Sequence, residues 1–228
     1  SWSNEKDITT KAVNYTKDVL EKLSQAGINL DILTIGNEVN YNFLGYAEES
    51  AYKGWEAMAE IAKLVQKQGI KVSVSISEQK SPEDIKWVLQ KLNKDYLDVD
   101  FDYVGVNIYP TDNTLSYIKD MRKAFEEEEK ASGKKAQFYI SGVKYVRQDD
   151  KGSASVFSQA NNIYKVLESG VSENNTGGLI YTDAENVGAW TSFFDESGKA
   201  VQSLSIFALA KGENVDNNVE EEEKDPYE

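Results

Sequence analysis

Glu38 follows the apolar run Ile32-Leu33-Thr34-Ile35 after one glycine, with the amide of Asn37 directly in front of it. A carboxylate at the mouth of a buried strand can be kept protonated by burial and used as a general acid, while the amide holds a hydroxyl of the substrate. The same side chain could instead cap the following helix or accept backbone amides. Other apolar runs also end in polar residues: Asn107-Ile108-Tyr109-Pro110-Thr111-Asp112, Ser141-Gly142-Val143-Lys144 and Thr182-Asp183-Ala184-Glu185-Asn186.

The chemistry open to these residues is narrow. The 228 residues include no Cys and no His, which removes thiol nucleophiles, imidazole bases and the zinc sites built on either ligand. Carboxylates, Tyr and Lys remain. No spacing of Asp and Asn suggests a metal site, and no cofactor is expected. Lys and Arg total 25 against 39 Asp and Glu, a net charge of −14, which argues against a nucleic-acid partner or an anionic membrane surface. No run approaches the ~20 apolar residues needed to cross a bilayer, and the first residues lack the pattern of a signal peptide, so no membrane insertion is expected.

The elements that position these residues alternate. Helical spacing covers about 8–26, then helices around Trp55 to Val65, Ile85 to Leu92 (opened by Ser81-Pro82-Glu83), Leu115 to Phe125, Val156 to Leu167 and Val201 to Ala208. Between them fall strand-like runs at 32–36, 71–77, 103–109, 137–143 and 178–182. Strands separated by helices imply a parallel sheet, whose reactive groups gather at the carboxyl ends of its strands. Val72, Val74 and Ile76 alternate with Ser73, Ser75 and Ser77, as if one face met helices and the other a confined interior. Five strands do not close a (β/α)8 barrel. Either the first three βα units lie outside this chain or the sheet is open. The barrel fragment is expected over residues 1–211, with 212–228 an acidic disordered tail or linker.

Several of these pieces fall in a familiar order. Asn14-Tyr15-Thr16-Lys17-Asp18-Val19-Leu20, Ile35-Gly36-Asn37-Glu38-Val39-Asn40, Val104-Gly105-Val106 with Tyr109-Pro110, and Thr114-Leu115 resemble successive landmarks of the family 53 glycoside hydrolases, the endo-β-1,4-galactanases, across about Trp2 to Trp190. The resemblance implies an α/β fold of the (β/α)8 TIM-barrel type, this chain supplying about five units, strands 4 to 8. It makes Glu38 the catalytic acid/base and Asn37 the ligand of a sugar 2-hydroxyl. Asn40, Tyr109, Asp183 and Trp190 join Asn37 as substrate-binding candidates, Trp190 as a stacking surface or as a plug of the rim. It also implies a polysaccharide or glycan partner, an extracellular or cell-surface setting, and a missing N-terminal segment that completes the barrel.

The sequence departs from the family pattern where it matters most. A retaining mechanism uses a second carboxylate about 5 Å from the first. The family carries it at the end of the seventh strand, and the corresponding residue is Ser141. Ser75 replaces the family's usual His, and Thr111-Asp112-Asn113 an aromatic-rich loop. Asp183 and Glu185 could face the opening or bond loop amides. The favoured expectation is a diverged relative that binds galactan-type or related glycans with catalysis reduced or lost. An active galactanase-like enzyme using another carboxylate and a non-carbohydrate interaction module are the alternatives.

Overall fold

A computed structural model describes residues 5–47, 54–78, 81–92, 99–109, 114–148, 152, 155–171 and 176–210. The loop 110–113 and the tail expected from 212 lie outside these residues. The chain divides into two compact units, one of residues 1–143 with 173–180 and one of 144–172 with 181–228.

In the first unit the helix α1 (Glu5–Gln25) ends at Gly27, whose φ of +74° suits a residue without Cβ, and the Ile28 N–H returns to Leu23 O at 2.9 Å. The strand β1 (Ile32–Thr34) follows, then a small hairpin of β2 (Asn42–Phe43) and β3 (Tyr46–Ala47) that the hydrophobic pattern does not foretell. Its turn, Leu44-Gly45, has φ of +52° and +84°, the two left-handed residues of a tight hairpin. The helix α2 (Trp55–Gln66) buries Trp55, Met58, Ile61, Ala62 and Val65 along one stripe.

The strand β4 (Lys71–Ile76) is buried from Val72 onward. The helix α3 (Pro82–Gln90) starts as its sequence suggests, with Pro82 in the first turn and Ser81 Oγ accepting the Asp84 N–H at 3.3 Å. The strand β5 (Tyr103–Asn107), the helix α4 (Thr114–Ser132), the strand β6 (Gln137–Val143), the helix α5 (Val156–Val171) and the strand β7 (Thr176–Tyr181) continue the alternation.

The sheet runs β1-β4-β5-β6-β7. The first four strands pair in parallel, so sequential neighbours are spatial neighbours, as in a (β/α) barrel segment. Among the described residues β1 is an edge, with Ile32 exposed and a cavity of about 700 Å3 beside it lined by Tyr15, Val19, Leu20, Leu33, Ile35 and Phe43.

In the second unit, the expected last helix is a 3-10 turn at Gln202–Ser205 running into the short helix α6 (Ile206–Ala210). Gln159 of α5 organises the interior here. It is fully buried, and its Nε2 donates to Tyr145 O (3.0 Å) and to the Tyr181 hydroxyl (3.1 Å), which in turn donates to Thr191 O (2.8 Å). Among the described residues no helix is long and apolar enough to cross a membrane.

Candidate functional site

Glu38 is placed by the turn that ends β1. Gly36 adopts φ +78°, and a Cβ there would lie 2.5 Å from the Phe43 ring, so only glycine fits. Beyond it Val39 is fully buried, its N–H bonded to Ser75 O (3.1 Å) and its carbonyl accepting the Trp55 indole N–H (3.0 Å). This anchor holds Asn37 and Glu38 at the carboxyl end of the sheet. Glu38 itself has φ +52°, a left-handed conformation that costs a side-chain-bearing residue roughly 1–2 kcal/mol. Such residues persist where their surroundings over-determine them, and functional sites are enriched in them.

The neighbouring strands supply a polar layer. Along β4 the serines do face the interior: Ser73 Oγ lies 2.7 Å from the Tyr139 hydroxyl, and Ser75, only 2% exposed, lies 2.6 Å from Ser141 Oγ. The β5–β6 register jumps from Val106 opposite Ile140 to Asn107 opposite Gly142, leaving Ser141 as the extra residue of a bulge. A bulge re-aims a side chain. Here Ser141 Oγ donates to Asn107 Oδ1 at 2.9 Å, and Gly105, with no Cβ, leaves room for it.

Asn107 is the hub. Its Nδ2 donates to Asn37 Oδ1 (3.0 Å) and to Glu38 Oε1 (2.9 Å). The same Glu38 oxygen accepts the Tyr109 phenol at 2.6 Å, a short charge-assisted bond when the carboxylate is ionised. That bond, followed by burial and the charge of Glu38 itself, pushes the Tyr109 hydroxyl up to about 12, because ionising it would put two anions together. Asn40 turns elsewhere: its Oδ1 accepts the Ser77 N–H (2.8 Å) and its Nδ2 donates to Ser77 Oγ (2.9 Å), which clamps the β1 loop to the end of β4.

Asn37, Glu38 and Tyr109 thus come together, and Asn40 braces them. Asn107, Ser75 and Glu78 belong to the same cluster but are not among the sequence candidates. The signals for them are the Ser/Val alternation of β4, the departure from the family pattern at Ser75, and the polar ends of β4 and β5.

Asp183 and Trp190 belong to the second unit. Asp183 also has positive φ, +61°, and is bonded to Lys144 at 2.5 Å, so its charge is matched locally. Glu185 is exposed. The Trp190 ring is about half exposed (51%), its carbonyl accepts the Arg147 N–H at 2.8 Å, and Arg147 Nη2 donates to Ala189 O.

The Glu38 cluster contains carboxylates, side-chain amides and hydroxyls at the carboxyl ends of parallel strands. It can accept and donate hydrogen bonds to a polyhydroxylated ligand, and Glu38 can exchange a proton with one. Ser141 is not an activated nucleophile, since its partners are a hydroxyl and an amide oxygen rather than a base.

The sequence pattern of glycosyl hydrolase family 53 matches residues 1–176. The chain belongs to that family. Two curated relatives named arabinogalactan endo-beta-1,4-galactanase share 26% identity over 90% of this chain and 70% of the protein from Thermothelomyces thermophilus, and 23% over 88% and 68% for the one from Humicola insolens. A solved structure described as a fungal beta-1,4-galactanase superposes with a TM-score of 0.71 at 22% identity, covering 90% of this chain and 69% of its own. As a family 53 chain, it carries the partial (β/α) barrel that the resemblance implies.

Proposed function

We propose that the Glu38 cluster binds β-1,4-galactan or a related glycan, with double displacement reduced or lost. In this reading Ser141 takes the place of the second carboxylate that a retaining mechanism needs about 5 Å from the first. The observation that supports it is the bonding of the Ser141 hydroxyl, which goes to Ser75 and Asn107 and to no base. The half-exposed Tyr109 beside Glu38 offers a sugar ring an aromatic face, and Asn37 offers its amide to a hydroxyl. In this reading Asp183 and Trp190 are further sugar-binding residues of the second unit, and the protein acts outside the cell. A further βα segment, in the same polypeptide or a separate one, would cover the open edge of β1.

Calorimetry with β-1,4-galactan oligosaccharides, run beside a reducing-end assay on galactan, tests it. Binding without release of reducing ends is the expected result, and Glu38→Gln should weaken the binding. Release of reducing ends that Glu38→Gln abolishes would favour the active-enzyme reading. For that reading Glu78 offers a strand-end carboxylate that burial pushes up from its ordinary range. Absence of binding across galactan and arabinogalactan would remove both. Ser141→Glu provides a sharper probe, since restoring the carboxylate should create or raise hydrolysis if the rest of the site is intact.

A further inference from the structure

Glu78 lies just past the end of β4 and belongs to none of the motifs that single out Glu38. Its Oε2 accepts the backbone N–H of Tyr109 at 3.1 Å, while the phenol at the far end of Tyr109 donates to Glu38 Oε1 at 2.6 Å. One residue is therefore held at both ends by carboxylates that arrive from the loops after two different strands, β4 and β1. The Tyr109 side chain is 55% exposed, so packing does not fix it. An exposed side chain exchanges rotamers rapidly unless something holds it. Glu78, for its part, is half-buried beside this loop, although a solvated position would spare it the desolvation.

We propose that Glu78 is a positioning residue of this site: by holding the Tyr109 backbone it keeps the phenol on Glu38 and presents the ring as a fixed face for a sugar. The ligand part of this proposal rests on the glycan-binding reading; the contact itself does not. Fixing the ring before the ligand arrives lowers the ordering cost of binding. Glu78 acts through its acceptor oxygen, not through its charge, and this separates it from a group that touches the ligand. A glutamine retains the acceptor and an alanine does not.

The test uses the full chain labelled with 13C at tyrosine Cζ, whose shift reports the bonding of the phenol, with Tyr109→Phe assigning the signal. In Glu78→Ala the Tyr109 signal should move toward that of a solvent-exposed tyrosine, and affinity for β-1,4-galactotetraose should fall about three- to tenfold. Glu78→Gln should leave both near the wild-type values. If Glu78→Ala does not fold, Glu78→Met serves as the second variant without an acceptor. An unmoved Tyr109 signal in the Ala or Met variant overturns the proposal. So does a Gln variant as impaired as the Ala variant, because the ionisable carboxyl would then be the acting group. If the unaltered chain binds no glycan while Glu78→Ala still moves the signal, the functional reading falls and the Glu78 contact stands.

Discussion

Tyr109 and Asn107 carry the most direct consequences at the scale of single residues. The Tyr109 phenol, held up to about 12 by its bond to Glu38, stays neutral where ordinary tyrosines ionise. The phenolate absorbance of the wild type minus that of Tyr109→Phe should therefore be flat through pH 10 and rise only well above it. Because this folded-state value is raised, the stabilisation it reflects is complete below pH 10 and declines as the pH climbs toward 12. Urea melts across that window should show a steeper loss in the wild type than in Tyr109→Phe. Asn107 donates to both Asn37 and Glu38 and accepts from Ser141, so Asn107→Ala removes one hydrogen-bond partner from each of the three. We expect a cost of about 1–3 kcal/mol in chemical denaturation and weakened glycan binding, even though Asn107 resembles no catalytic group.

Among the elements, β5 and β6 decide whether the polar layer exists. Gly105 on β5 faces the β6 bulge, and a Cβ there would approach Ser141 Cβ and Tyr139 Cζ to 2.5 Å. Gly105→Ala should destabilise the fold by about 1–3 kcal/mol through overpacking and disturb Ser141 in the same step, which denaturation and the affinity of the variant can check together. The elements were largely legible in the sequence. Helical spacing, the Ser81-Pro82 start of α3 and the alternation of β4 all follow from local patterns, because their periodicity records what they bury. The bulge at Ser141 was not legible: it arises from a register shift between two strands, which no single run of residues encodes. The β2–β3 hairpin escaped because its strands are two residues each, and the left-handed Leu44 gives no sign of its conformation beside Gly45. Asn107 and Glu78 escaped for a related reason. Their roles come from partners 31 to 70 positions away in the chain, a convergence that the βα order permits but does not specify. Asn37 and Glu38 could be singled out because a strand-end amide and carboxylate stand side by side in the sequence itself.

For the whole molecule the relevant quantity is the net charge of −14. A field of that sign does little to a neutral galactan and repels an anionic glycan, and salt screens the repulsion. Titrations between about 0.05 and 0.5 M salt should leave the affinity for neutral galactan nearly unchanged and improve that for any uronate-bearing glycan. A neutral ligand whose affinity falls steeply with salt would contradict a site read as hydrogen-bonding and stacking. The same scale includes the edge strand β1, which among the described residues pairs on one side only, with β4; an exposed apolar edge is an association hazard. Ile32→Lys should lower any self-association seen in sedimentation without touching the Glu38 cluster.

The left-handed backbone at Glu38 sets stability against function. Asparagine tolerates that conformation far better than glutamate. Glu38→Asn should relieve strain on the order of 1 kcal/mol, worth about 2–4 °C in thermal midpoint for a chain of this size, while removing the carboxylate. A variant that melts higher and binds worse would mark position 38 as one where selection has preferred a costly residue to a comfortable one.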